Sequence, residues 1–312
     1  MNRFISNDSK WVLGRQEKQE RLKKLERARR NAENNILSWT SIMTHAKRSL
    51  VWFFVFSYNF CVSKVFLSVV IPSFDEMVNL QKGVLDKVMR FLNAQKYTYE
   101  VIVVDDGSTD GSIEFVEYFT KTSSHTRLIK NTHMGKAGAV TTGVLKAGGE
   151  YILFTDMDQA TPIEELDKLL PFAKKGLDVI IGSRNRIRRG APFTRKIMAN
   201  AAILLRSILI GLPDITDTQC GFKLFSKKSA QDIFTRIKTI HHNFHTIRGS
   251  SVTAGFDIEL LCIAKNRGYM IKEVPVSWLY VETRRVSPIK DSIEGVMDLL
   301  RIKFNDLQGR YG

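Results

Sequence analysis

Between residues 65 and 182 the chain alternates short apolar, β-branched runs with longer stretches whose apolar positions recur at helical spacing. Val65–Pro72 (VFLSVVIP) and Glu100–Val104 (EVIVV) read as strands buried on both faces, since neither alternates apolar with polar. Thr126–Lys130, Tyr151–Thr155 and Leu177–Gly182 (LDVIIG) continue the series. Asn79–Leu92 lines up Leu80, Val84, Leu85, Val88, Met89 and Leu92 on one helical face. Ser112–Thr120, Lys136–Ala147 and Pro162–Lys174 are the other predicted helices. The last starts at proline, where a missing N–H costs nothing. This alternation predicts an α/β domain with a mostly parallel, Rossmann-like sheet and helices on both faces.

Three of these strands run into polar loops: Ser73-Phe74-Asp75-Glu76, Asp105-Asp106-Gly107-Ser108 and Asp156-Met157-Asp158. Right-handed crossovers carry such loops to one sheet edge, where open α/β folds bind ligands. Asp75, Glu76, Asp105, Asp106, Asp156 and Asp158 are therefore expected in one cleft. Carboxylates so crowded repel unless a cation or hydrogen-bond donors neutralise them. Asp156 and Asp158 offer hard oxygen ligands suited to Mg²⁺ or Mn²⁺ holding a diphosphate, because such ions complete their shell with water and phosphate. Gly135-Lys136-Ala137-Gly138 opens a helix. Its small residues let backbone N–H groups approach a phosphate, and Lys136 adds a point charge. It matches neither a P-loop nor a dinucleotide fingerprint.

The acidic cleft is set in a basic chain, of formal net charge +15 over 312 residues. That excess calls for an acidic partner: nucleic acid, an anionic membrane or a phosphorylated substrate. Residues 1–50 hold 12 Lys/Arg against 5 Asp/Glu, and Lys18–Arg30 reads as a charged helix, solvated or held at a membrane surface. Few aromatics interleave with its bases, so no nucleic acid is expected. Leu50–Val62 is apolar over 13 residues and bracketed by Lys47, Arg48 and Lys64. A spanning helix needs ~20 residues. An interfacial or re-entrant segment, or a helix packed on the domain's own core, fits that length. The expected division is a membrane-associating segment over residues 1–64 and a folded domain over 65–312. No early apolar core followed by small residues marks a cleavable leader. Cys61, Cys220 and Cys262 are too far apart for a disulfide framework or zinc spacing, which points to a reducing compartment. His241, His242 and His245 read as an exposed polar loop.

Four blocks in order resemble family-2 glycosyltransferases of the GT-A fold: Val69-Val70-Ile71-Pro72-Ser73-Phe74-Asp75-Glu76, Val103-Val104-Asp105-Asp106-Gly107-Ser108-Thr109-Asp110, Gly135-Lys136-Ala137-Gly138-Ala139 and Asp156-Met157-Asp158. The likeness spans about residues 66–305. Asp217-Thr218-Gln219-Cys220-Gly221-Phe222-Lys223, Gly255-Phe256-Asp257-Ile258-Glu259 and Glu273-Val274-Pro275-Val276-Ser277-Trp278 narrow it to the group resembling dolichyl-phosphate β-glucosyltransferases and other polyprenyl-phosphate glycosyltransferases. Four positions depart from the pattern. Met157 replaces a usual alanine, and Arg284-Arg285 stand where Ser-Lys is common. Ala160 stands where mannosyl relatives carry glutamine, which disfavours mannose.

The resemblance implies inverting, metal-dependent transfer of glucose from UDP-glucose to a polyprenyl (dolichyl-type) phosphate at the cytoplasmic face of a membrane. One alternative is transfer of another hexose (mannose from GDP-mannose, or an aminosugar) to a polyprenyl phosphate or glycan; the non-enzyme alternative, from the basic excess, is a nucleic-acid-binding or membrane scaffold protein. The resemblance implies a nucleotide-sugar half over about residues 65–182 and an acceptor half over 183–312. Pro72, Phe74, Glu76, Asp105, Asp106 and Lys136 would bind the donor, with Asp106 or Asp105 accepting a uracil N–H. Asp158 would bind the metal directly, and Asp156 the ribose or the metal through water. Residues 184–206 carry Arg184, Arg186, Arg188, Arg189, Arg195, Lys196 and Arg206 with no acidic residue, which suits a lipid phosphate. Arg184, Arg195 and Arg285 are the candidate phosphate ligands. Ile197–Leu212, apolar on most sides, is expected to face the membrane beside the lipid. A monophosphate, with its second pKa near ~6, needs little help from a base. Asp217 is assigned to sugar contact or base.

Overall fold

The computed structural model describes residues 65–184, 204–241, 254–279 and 288–312, with two further helical, exposed positions at Lys24 and Arg27. The rest of the expected N-terminal segment, Leu50–Val62 included, lies outside the described residues. The chain divides into Met1–Val62 and Ser63–Gly312, and the second unit carries the fold.

Seven strands form one sheet: β1 (Leu67–Ser73), β2 (Tyr99–Asp105), β3 (Thr126–Lys130), β4 (Tyr151–Thr155), β5 (Val179–Arg184), β6 (Phe222–Ser226) and β7 (Ile271–Val276). Their order is β3-β2-β1-β4-β6-β5-β7. β1 pairs in parallel with β2 and β4, β2 with β3, and β5 with β7. β6 runs antiparallel between β4 and β5, so the sheet is mixed. β6 and β7 were not anticipated as strands from the apolar pattern: β6 carries Lys223 inside it, and β7 alternates with charge on an edge.

The helices are α1 (Met77–Gln81), α2 (Val84–Asn93), α3 (Ser112–Thr122), α4 (Gly135–Leu145), α5 (Leu166–Lys174), α6 (residues 204–210), α7 (Lys227–Ile240), α8 (Ala254–Asn266) and α9 (Pro288–Leu307). The single helix expected over Asn79–Leu92 is two, because Gly83 takes φ 73° and ends the first turn set. Pro162 is not the first helical residue either. Its extended ψ of 145° caps a 3-10 turn, Ile163–Glu165, that leads into α5.

Both sheet faces are covered, as the doubly apolar strands require. Leu67, Val69 and Ile71 pack with Val84, Leu85 and Val88 of α2 and Leu166 and Leu169 of α5. Val70, Ile102 and Val104 pack with Val140 and Val144 of α4 and Ile233 and Phe234 of α7. Each fully buried aliphatic contributes roughly 1.5–3 kcal/mol. Of the segment expected to face the membrane, Ile197–Leu212, Ile210 and Leu212 are core residues, while Leu204 and Ile208 are exposed. Residues 197–203 lie outside the described residues. Among the described residues no helix is long and apolar enough to cross a membrane.

Candidate active site

The first two loops are knitted together by their own carboxylates. Asp75, at φ 52°, accepts the Thr109 N–H (2.8 Å), and its own N–H donates to Ser108 Oγ. Asp105 accepts the N–H groups of Gly107 and Ser108 and the Ser108 hydroxyl. Asp106 accepts the N–H groups of Met134 and Gly135 at 2.9 and 2.7 Å and pairs with His133 Nδ1. Burial pushes the Asp106 carboxyl above its ordinary range, while those donors and His133 pull it back. Asp105 and Asp106 are 1% and 2% exposed, so they hold loops in shape rather than present open acceptors. The six carboxylates expected in one cleft are thus not one repelling cluster. Three of them, Asp75, Asp105 and Asp106, are neutralised by loop N–H and O–H donors.

The remaining three do sense one another. The Glu76 carboxyl is raised by burial and by the charges of Asp158, Asp156 and Asp110, against a hydrogen bond from Asn79. Asp158 is raised by burial and by Asp156, while the Ala160 N–H (3.0 Å) and Lys136 oppose that rise. Lys136, in the first turn of α4, puts Nζ 2.6 Å from Asp156 Oδ1. Its burial disfavours the ammonium, but Asp156 and then Asp257 outweigh that and hold its pKa up.

Asp156, Asp158 and Arg184 line one cavity of ≈ 180 Å³, whose other walls include Ala160, Gln219, Cys220 and Trp278. It opens where the antiparallel β6 is inserted, beside the end of β4. Gly221 begins the approach to β6 and lies against Asp156: a Cβ there would stand 1.9 Å from Asp156 Oδ2. Behind this wall Lys223, fully buried, donates to Cys220 O (2.6 Å) and to Asp257 (2.5 Å), fixing the Cys220-Gly221 peptide.

Arg184 ends β5 and is held by Asp217 through its N–H (3.0 Å), Nε (2.7 Å) and Nη2 (2.8 Å). Glu273 of β7 accepts the Asp217 N–H and so anchors the pair. Burial opposes ionisation of Asp217, but Arg184 overrides it and keeps the carboxyl below the usual range. A carboxylate so stabilised is a weak base. Trp278 lies with its ring 5.9 Å from the Arg184 guanidinium. The residues on either side of Trp278 are pinned: Ser277 N–H donates to Glu165 and Leu279 N–H to Ala160 O.

Of the predicted site residues, Asp156, Asp158, Arg184 and Lys136 come together, with Glu76 close enough to feel both aspartates. Asp217 stands behind Arg184. Pro72 and Asp105 stand at the ends of the adjoining strands β1 and β2 and Phe74 and Asp106 just beyond them, and Phe74 stacks on His133 with ring centroids 4.2 Å apart. Arg195 and Arg285 lie outside the described residues, as do His242 and His245. Arg206, counted among the basic acceptor segment, is instead buried and donates to Ile215 O and Thr218 Oγ1. His133, Gln219, Lys223 and Trp278 were not singled out as site residues. Gln219, Lys223 and Trp278 sit inside blocks that carried the resemblance, whereas a lone histidine before Gly135 gave no pattern to read.

Asp156 and Asp158 fit a divalent ion. They are two carboxylates separated by one residue on the wall of the same cavity, both half-buried, with Asp156 paired to Lys136; among the described residues no group of three or more His, Cys, Asp or Glu side chains could hold a metal. Two protein ligands with water and phosphate completing the shell is the Mg²⁺ pattern.

Residues 68–234 match the family described as glycosyl transferase family 2, and the chain belongs to that family. It is 31% identical over 269 residues to the dolichyl-phosphate beta-glucosyltransferase of Dictyostelium discoideum, covering 80% of this chain and 77% of the relative. The protein of the same description from Drosophila melanogaster is 33% identical, with 78% and 76% covered, and that from Homo sapiens is 31% identical, with 78% and 77% covered. The chain is a glycosyltransferase related to these enzymes. In fold it is similar to mannosyl-3-phosphoglycerate synthase from Rubrobacter xylanophilus (TM-score 0.51, 14% identity, 79% and 75% covered). A mycobacterial protein of solved structure is also similar (TM-score 0.55, 18% identity, 77% and 75% covered).

Proposed function

We propose that the chain is a GT-A enzyme that transfers glucose from UDP-glucose to a polyprenyl, dolichyl-type phosphate at the cytoplasmic face of a membrane, inverting the anomeric centre. The observation that carries this is a cavity lined by Asp156 and Asp158 together with Arg184. One wall suits a metal-bound diphosphate and the other an anionic nucleophile. The relatives' shared description supports the donor and acceptor. Ala160, which lines the cavity, agrees with glucose over mannose.

Asp158 and Asp156 would hold Mg²⁺ or Mn²⁺, which when bound offsets charge on the departing nucleoside diphosphate. Lys136, at the N-terminus of α4, adds positive charge on the same side. The half-buried Phe74–His133 stack offers ring surface to a base, on a loop that Asp105 and Asp106 keep rigid. Arg184, preorganised by Asp217, orients the acceptor phosphate. The phosphate needs no general base, which agrees with the lowered Asp217 carboxyl.

The test is transfer of radiolabel from UDP-glucose to an organic-extractable lipid with Mg²⁺ or Mn²⁺, beside GDP-mannose and UDP-N-acetylglucosamine. Label entering lipid from UDP-glucose alone is expected. Label confined to the aqueous phase with several polyprenyl phosphates, under conditions where a related enzyme is active, sinks the acceptor. Preference for another donor sinks the sugar.

A further inference from the structure

We propose that the outer face of the C-terminal helix α9 docks on an anionic lipid bilayer, lying in its surface. Ile293, Val296, Met297, Leu300, Phe304 and Leu307 are 61%, 41%, 61%, 49%, 60% and 74% exposed. At 100° per residue these six fall within an arc of about 100°, an apolar stripe without a charged member. Leu299 and Ile302, on the opposite side, are 6% and 0% exposed and pack into the core, so this helix is held by one face and bare on the other. A bare stripe of this size on a globular domain marks a surface that is covered in use.

The occupant follows from length and charge. From Ile293 to Leu307 the stripe runs about 21 Å at 1.5 Å per residue, too short to span a bilayer core of about 30 Å but suited to lying in its surface. Its positions follow a 4-3-4-3 heptad spacing, but over two heptads only, whereas a coiled coil with a second copy is argued from about three or four. The flanking cations Arg301 and Lys303 are engaged by Asp298 and Asp306 at 2.8 and 3.1 Å, and the helix carries three Lys/Arg against four Asp/Glu, so its apolar side chains, not its own charge, supply the hold. Long-range attraction to anionic lipid comes from the chain's net charge of +15. Leu204 and Ile208 of α6, 62% and 70% exposed, form a smaller patch of the same character. The inference rests on the lipid-phosphate reading for the presence of a bilayer near the enzyme.

The full chain carrying Cys61→Ser, so that only buried Cys220 and Cys262 remain, is given one new cysteine by Leu300→Cys or Phe304→Cys. Lys121→Cys on α3 is the control. Each is labelled with an environment-sensitive fluorophore and mixed with phosphatidylcholine vesicles with or without phosphatidylserine. A blue-shifted, brighter emission at 300 and 304 but not at 121, stronger with phosphatidylserine, is expected. Leu300→Glu with Phe304→Glu should weaken vesicle flotation by about tenfold or more while leaving the circular dichroism unchanged. Unchanged emission at 300 and 304 on chain that floats with the vesicles overturns the proposal, as does unchanged flotation of the double variant. A lipid-free emission change that tracks protein concentration, with a doubled sedimenting mass, overturns it in favour of a second copy. Glucose transfer to a detergent-dispersed acceptor, measured on the same variants, reports the reaction separately, so failure of the bilayer contact and failure of the acceptor assignment are distinguishable.

Discussion

Gly221→Ala is the sharpest perturbation of the candidate site's wall. An alanine Cβ at this position would stand 1.9 Å from Asp156 Oδ2 and 2.5 Å from its carboxylate carbon. Ordinary contact is above 3.4 Å, so the carboxylate or the strand must move by more than an ångström. Gly221 does not take a left-handed φ, so the backbone itself tolerates alanine. Lys223 holds the preceding carbonyl at 2.6 Å, which leaves the Asp156 side chain as the softer partner. Swinging it away breaks the 2.6 Å contact with Lys136 and moves a proposed metal ligand. A misplacement of ~1 Å costs on the order of 10²-fold in rate, or about 2.7 kcal/mol of transition-state stabilisation. Overpacking costs about 1–3 kcal/mol of stability. Steady-state transfer should therefore fall about a hundredfold, with a lowered Tm but a cooperative melt, and raising the metal concentration should recover part of the loss. Gly295→Ala, which meets nothing within 4 Å, is the control and should leave both readouts near wild type. A Gly221→Ala enzyme within about threefold of wild type in kcat/KM would refute the reasoning, since that is under 1 kcal/mol.

Three further outcomes follow from other contacts. Asp217→Asn should lower kcat/KM for the acceptor about 10- to 100-fold by loosening Arg184, and Arg184→Ala with Asp217→Asn should be no worse than Arg184→Ala alone. An additive loss would mean that Asp217 acts on substrate directly. Lys223→Met leaves Asp257 buried without its cation and should cost about 3–5 kcal/mol, whereas adding Asp257→Leu should restore most of it; urea melts of the three variants check this. Glu76→Gln should stabilise the metal-free protein at neutral pH, because the raised Glu76 pKa means that ionisation is penalised in the folded state. That penalty vanishes once pH falls below the unfolded value near ~4.3, where the carboxyl is protonated in both states. Denaturant midpoints that differ equally at neutral and acid pH would contradict it.

Much of this domain was legible in residue order. Strands buried on both faces, such as VVIP and EVIVV, have nowhere to go but the middle of a covered sheet, and strand–helix alternation leaves mainly the parallel arrangement. The polar loops after β1, β2 and β4 were therefore placed at one edge correctly. β6 escaped notice because a lysine interrupts its apolar run, and nothing local to Lys223 announces a buried partner 34 positions away. The carboxylates of the first loops show the same limit. Asp75, Asp105 and Asp106 look alike in sequence to Asp156 and Asp158. What separates them is which ones meet N–H groups of neighbouring loops.

Local pattern by itself determined the layered α/β architecture, the two strand-end aspartates and the basic excess, because periodicity, turn residues and charge are properties of short windows. Tertiary structure alone decided the roles. It spent Asp217 on Arg184, buried Arg206 and Lys223, closed Gly221 onto Asp156, and left one face of α9 bare. Each of these depends on contacts between residues far apart in the chain, where low dielectric and close packing make one partner's presence change what the other can do.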